Sequence, residues 1–237
     1  MIQSDLPINQ SVLNTFKAEW DRLSRAGYWW SGEERVSIAE EVRHAPSCKL
    51  CQQQKQALSP NAVKGEHESG TALPQNVIEV IHRVTNDSGR LSENWLNTIR
   101  ETGLSDAAYV EIIGVIATTL TVDTYTKALD LEQLPLPTPQ VGVPTEYLPD
   151  GLEIHSAWVP TIVPEQVTDA GIKEHYQKMM DLSGLVANIM RAMTIVPDEQ
   201  LGFVSLMFEL YHTEHALDKL QIELIATEVS ALNECFY

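Results

Sequence analysis

The chain is short of positive charge. Its 237 residues hold 16 lysines and arginines against 33 aspartates and glutamates, for a formal net charge of −17. Such a surplus repels polyphosphate, so no nucleic acid is expected as a partner, and anionic membrane surfaces are disfavoured for the same reason. Cysteine is scarce as well. Three residues, Cys48, Cys51 and Cys235, are too few and too unevenly spaced for the disulfide scaffold of a secreted domain. No uninterrupted apolar run approaches the ~20 residues that span a bilayer. The opening "MIQSDLPINQSVLNTFKAEW" lacks the basic segment and apolar block of a secretory signal. The expectation is a cytoplasmic protein without a membrane partner. Alternation of polar and apolar residues is nearly absent, which leaves little room for sheet and points to an all-α fold.

Helical periodicity is abundant. Val12, Leu13, Phe16, Trp20 and Leu23 recur at helical spacing within residues 9–30. Ser31 with Glu34 three residues later forms a capping box, and Val36, Ile38, Ala39 and Val42 supply the apolar face of the helix that leads to Cys48. Residues 58–74 are loop-like. Helices are then expected from Pro74, from Ser92 to Gly103, and from Ser105 or Asp106 to the region of residue 130. The last of these is apolar almost all round, which predicts burial on most faces. Five prolines between Pro135 and Pro149 forbid helix and favour an extended linker. This divides the chain into a first helical unit, residues 1–130, a linker, 131–154, and a second unit, 155–237, with three helices and then one more. The five tryptophans and Met179, Met180, Met190 and Met193 sit at helical spacing as core or oligomer contacts.

The two units share a pattern. Residues 16–48 align without a gap on residues 203–235, and Phe16, Leu23, Ile38, Ala39, Glu41, Val42 and Cys48 meet Phe203, Leu210, Ile225, Ala226, Glu228, Val229 and Cys235. Matches on a common helical frame indicate two copies of one unit, each with a cysteine just beyond a core helix.

Cys48 and Cys51 form a Cys-x-x-Cys pair in "HAPSCKLC". At a helix start, free backbone N–H groups stabilise a thiolate, and a second thiol nearby can condense with the sulfenic acid formed by peroxide. The alternatives are a zinc site or two unremarkable loop cysteines. Zinc needs two further ligands, and His44 and His67 are the nearby candidates. His67 and His82 are candidate imidazoles for proton transfer, with a half-buried structural histidine as the other reading of His82. His212 and His215 have a ligand-like spacing at a helix end, but no ligand set accompanies them.

Residues 155–237, through "VPTIVPEQ", "GLVANIMRAMTIVPDEQLGFVSLMFELYH" and "LDKLQIELIATEVSALNECFY", resemble the alkylhydroperoxidase D-like proteins, relatives of the carboxymuconolactone decarboxylases. "SGEERVSIAEEVRHAPSCKLC" with "GLSDAAYVEIIGVIATTLTVDTYTKAL" is a second, more divergent match. The resemblance implies an all-α bundle, homo-oligomers, no bound cofactor, and a Glu-x11-Cys-x-x-Cys-x3-His thiol peroxidase site with a proton relay. Its substrate is a peroxide and its partner a thiol reductant or thiol-bearing protein. Glu223 stands at the family's spacing before Cys235, but the second cysteine and the histidine fall beyond Tyr237, so the native chain is expected to continue. In the first copy the glutamate position holds Val36 and the histidine position Lys55. Glu33 and Glu40 share a helix face with Val36, and either could stand in for the glutamate. The expected site is therefore Cys48, Cys51, His67, His82 and Glu40, with Glu223 and Cys235 in the second copy and no metal. The rival functions are a decarboxylase-like enzyme of a lactone acid, independent of paired thiols, and a helical interaction module that lost the site.

Overall fold

The computed structural model describes residues 9–155, 157–212 and 216–232. They are all-α apart from one short hairpin. Helix α1 (Gln10–Leu23) starts at Asn9, whose side chain accepts from the Ser11 N–H, and it buries Val12, Leu13, Phe16, Trp20 and Leu23. Its end comes earlier than the periodicity suggests. The chain turns at Gly27, whose N–H donates to the Trp30 carbonyl at 2.9 Å. A Cβ on Gly27 would lie 1.9 Å from a Glu111 carboxylate oxygen, so the backbone there is drawn tight against a buried acid rather than continuing as helix. Helix α2 (Gly32–His44) carries the capping box of Ser31 and Glu34. A 3-10 turn, Ala45–Ser47, leads into α3 (Lys49–Gln56). After the loop come α4 (Gln75–Asp87), α5 (Glu93–Glu101) and α6 (Asp106–Ala128), the last two capped by Ser92 and Ser105. Gly103, at φ +91°, takes the left-handed position that ends α5.

Helix α6 is the axis of the structure. Its 23 residues have the length and hydropathy of a bilayer span, a point the polar residues along it obscure in the sequence. Its faces are nonetheless covered by α1, α2, α4 and by α9 (Pro197–His212). Ile112, Val115, Ile116 and Val122 join Phe16, Leu23, Ile38, Val42, Ile78, Ile81 and Leu206 in the main core. Each large side chain so covered contributes about 1.5–3 kcal/mol relative to exposure.

An ionic cluster is embedded in that packing. Glu199 of α9 accepts from Arg22 Nη1 at 2.7 Å and pairs with Arg35 Nη1 at 2.8 Å. Arg35 also pairs with Glu111 of α6, which accepts the N–H groups of Tyr28 (3.1 Å) and Trp29 (2.7 Å). Burial raises the Glu111 carboxyl, Arg35 opposes it, and the Glu199 charge reinforces it, leaving the group above its usual range. For Glu199 burial also acts upward, but Arg22 and Arg35 overcome it and hold the carboxyl at about 2.

Residues 131–149 form neither helix nor strand, and their prolines exclude helix. The segment is strapped to the first helices: Trp20 Nε1 donates to the Pro135 carbonyl (2.8 Å), Gln140 N–H to the Ser24 carbonyl (2.7 Å) and Glu146 N–H to the Tyr28 carbonyl (2.7 Å). A hairpin follows, with β1 (Leu152–Glu153) antiparallel to β2 (Thr161–Ile162). Then come α7 (Ala170–Ser183), α8 (Asn188–Arg191), α9 and α10 (Lys219–Leu232). At the offset of the sequence alignment, Gln10 and Gly32, the first residues of α1 and α2, fall opposite Pro197 and Lys219, the first residues of α9 and α10. The two pairs of helices differ in packing. Helix α2 is buried against α4 and α6, whereas α10 has no buried residue and exposes Leu220, Leu224, Ile225, Val229 and Leu232.

Candidate functional site

Cys48 is the N-cap of α3, extended at φ −67° and ψ 125°, with Cys51 in the first turn of the same helix. Pro46 is the second residue of the 3-10 turn before it, and the Cys48 N–H closes that turn on the Ala45 carbonyl (3.2 Å). Both sulfurs are buried and carry free thiols. Helix α4 supplies His82 from its inner face, beside Ile78 and Ile81.

His67 reaches the same point from the loop between α3 and α4. The loop is pinned by one buried carboxylate. Glu41 of α2 accepts from Ser69 Oγ (2.8 Å), Thr71 Oγ1 (2.6 Å) and the Gly70 N–H (3.1 Å). Gly65 crosses Leu50 so closely that a Cβ would sit 3.1 Å from its Cδ1. These contacts bring the segment back over α3.

The result is a compact group of four donor atoms. His67 Nδ1 lies 3.5 Å from Cys48 Sγ and 3.4 Å from Cys51 Sγ, and His82 Nδ1 lies 3.2 Å from Cys51 Sγ. The two sulfurs and two nitrogens all lie within 4.8 Å of one another. Each imidazole is held from behind: His67 Nε2 bonds Glu79 at 2.8 Å and His82 Nε2 bonds Glu41 at 2.8 Å. Trp95 Nε1 donates to the other oxygen of Glu79 (2.9 Å). Carboxylates so placed keep the proton on Nε2 and turn the Nδ1 lone pairs toward the sulfurs.

The electrostatics are asymmetric. Burial pushes the Cys48 thiol up, but the Cys51 backbone N–H and His67 outweigh it, so the thiol lies below its usual range. Burial and the neighbouring Cys48 push Cys51 up to about 12. Burial alone would lower His67, but hydrogen bonds to Glu79 and Cys48 raise it. His82 is lowered, burial prevailing over its bond to Glu41. Glu41 and Glu79 both resist the upward effect of burial through their hydrogen bonds and lie below the carboxylate range. On the outer side, His67 and Glu79 border a cleft of about 600 Å³ also lined by Gln54, Arg83 and Trp95.

The structure thus brings together Cys48, Cys51, His67 and His82. It does not bring in Glu40, which is exposed on the solvent side of α2, as is Glu33. Ile38 and Val42 point inward, and Glu41, not Glu40, shares their side. His44 lies apart, with Nε2 on the Glu68 carbonyl at 3.1 Å. Glu223 is exposed on α10 and belongs to no such cluster among the described residues, because the apolar face on which it was expected to be enclosed is uncovered. Cys235, His215 and the side chain of His212 lie outside the described residues. Glu41 and Glu79, the carboxylates that bond the two imidazoles, were not among the residues expected from the sequence. Both had a signal: Glu41 is one of the identities of the repeat, and Glu79 interrupts the apolar run "VIEVI" three residues before His82.

A Cys-x-x-Cys pair packed against histidines can act as a thiol centre or hold a metal. Comparison with known proteins found no match for this chain among family models, curated proteins or solved structures.

Proposed function

We propose that the first unit is a two-cysteine thiol peroxidase centre, in keeping with the resemblance to the alkylhydroperoxidase D-like proteins. The observation that carries the reading is the position of His67. Its Nδ1 touches both sulfurs, its Nε2 is anchored by Glu79, and its outer side borders the open cleft. A group there can exchange protons with either thiol and with a molecule in the cleft.

The attacking sulfur is Cys48, which caps α3 and so faces free N–H groups that favour a thiolate. The thiolate attacks the distal oxygen of a hydroperoxide. The O–O bond breaks, Cys48 becomes a sulfenic acid, and His67, which took the Cys48 thiol proton on Nδ1, gives that proton to the departing alkoxide, which leaves as the alcohol. Cys51 then attacks the Cys48 sulfur, loses its proton to an adjacent imidazole, and expels the hydroxyl as water. The disulfide is returned to two thiols by an external dithiol, which is oxidised in its place.

The test is peroxide-dependent thiol loss in a Cys235→Ser background, where two thiols remain. The wild-type pair is expected to lose both thiols per peroxide consumed. Cys48→Ser should consume none, and Cys51→Ser should stop at a sulfenic acid trapped by a dimedone reagent. Reaction no faster than that of an unfolded cysteine peptide overturns the proposal.

A further inference from the structure

We infer that Cys48, Cys51, His67 and His82 form a four-coordinate binding site for a thiophilic divalent cation, Zn²⁺ by chemistry. Three features of the cluster lead there. The first is size. Zn–S bonds of ~2.3 Å and Zn–N bonds of ~2.0–2.1 Å at tetrahedral angles put sulfur and nitrogen roughly 3.5 Å apart. The contacts are 3.5, 3.4 and 3.2 Å.

The second is the count of protons. With Nε2 of each ring engaged by a carboxylate, both Nδ1 atoms are acceptors. Two thiols offer two protons to three sulfur–nitrogen contacts, so hydrogen bonds cannot fill the cluster, whereas one cation engages all four lone pairs. The charges balance too. Two thiolates and one divalent ion are neutral together, which a buried site requires.

The third is what stands behind the ligands. A histidine that binds a metal through one nitrogen commonly donates the other N–H to a carboxylate, which sets its orientation. Glu79 and Glu41 stand in those places, and Glu41 is itself gripped by Ser69, Gly70 and Thr71. The ligands come from α3, the following loop and α4, so one ion would tie three segments together. The donor set, two thiolates and two imidazoles, suits Zn²⁺ over the oxygen-seeking Mg²⁺ and Ca²⁺.

This goes beyond the peroxidase reading and does not rest on it. In a protein that has both properties, the bound ion holds both thiolates in coordination, and oxidation by a hydroperoxide takes two electrons from them. The disulfide forms, the peroxide takes up two protons to leave as alcohol and water, and Zn²⁺ is released. The site would then respond to peroxide by losing its metal.

The experiment titrates reduced Cys235→Ser protein, purified with chelator, with Co²⁺ alone and then with Zn²⁺. One equivalent of Co²⁺ is expected to give intense visible bands of four-coordinate geometry and a thiolate-to-metal charge-transfer band, and Zn²⁺ should abolish both. Glu41→Gln and Glu79→Gln should each weaken Zn²⁺ binding by roughly 10–100-fold. Cys51→Ser and His82→Gln should weaken it further. The same Cys235→Ser protein oxidised to the Cys48–Cys51 disulfide should bind no Co²⁺, a control that needs no substitution within the site. Absence of the charge-transfer band, a six-coordinate spectrum, or equal binding by the reduced and oxidised forms overturns the inference. Any of these would leave the peroxide assay, which contains no metal, to be judged by itself.

Discussion

Replacing Glu199 with glutamine removes a charge that two arginines share in the core. Its side chain is fully buried, with Arg22 at 2.7 Å and Arg35 at 2.8 Å. The substitution keeps shape and some hydrogen bonding but leaves excess positive charge beside Arg35, whose side chain is 2% exposed. Breaking a buried ion pair from one side costs about 3–5 kcal/mol. Here the low end applies, because Glu111 still neutralises Arg35 and Glu19 still pairs with Arg22. Linkage gives a similar figure. A carboxyl held at about 2 in the fold against an ordinary 4.5 contributes roughly 3 kcal/mol at neutral pH, at about 1.4 kcal/mol per pKa unit. Because the folded pKa is depressed, that stability is present in full above about pH 4.5 and is lost as pH falls toward 2. Glu111 works in the opposite direction. Its raised carboxyl takes up a proton more readily in the fold, which offsets part of the loss. Thermal unfolding at neutral pH should show Tm lower by roughly 6–12 °C in Glu199→Gln. The acid-induced decline should also be shallower in the variant than in the wild type. A Tm within about 2 °C of wild type, together with an unchanged acid profile, would refute the account of the cluster as a stabilising contact between α1, α2, α6 and α9.

Further outcomes can be checked with the same purified protein. Gly114→Ala places a Cβ 2.3 Å from a Glu199 carboxylate oxygen and 2.6 Å from the Glu199 Cβ, so it should destabilise by about 1–3 kcal/mol in urea unfolding, and markedly less in a Glu199→Gly background, which removes both atoms. Ser31→Ala removes the cap that accepts the Glu34 N–H and should cost about 1 kcal/mol without altering thiol reactivity toward a small alkylating agent. Leu220 and Leu224, 79% and 69% exposed, are expected to drive association through α10; sedimentation should show a dimer or larger, shifted toward monomer by Leu224→Glu, and a wild-type monomer at micromolar concentration contradicts this.

Local chemistry was legible in the sequence. The caps at Ser31, Ser92 and Ser105, the absence of helix in the proline-rich segment and the all-α class follow from patterns a few residues long, and helix formation answers to those patterns directly. So does the placing of Cys48 at a helix start with Cys51 one turn inside it. The partners of those thiols were only half legible. His67 and His82 were candidates by residue type, but Glu41 was passed over for its neighbour. One residue turns a helix by about 100°, and which side of α2 faces inward is set by the packing of α4 and α6. Helix α1 likewise stops at Leu23 because Gly27 must approach Glu111, a residue whose position depends on Arg35 and Glu199. The four donor atoms converge only once the loop bearing His67 has closed onto Glu41 and α4 has docked. Contacts between distant segments are selected by the fold as a whole, since each is worth little until the others have met the entropy of closing the chain. Residue types and helical frames belong to the sequence; which carboxylate backs which imidazole was decided by tertiary packing.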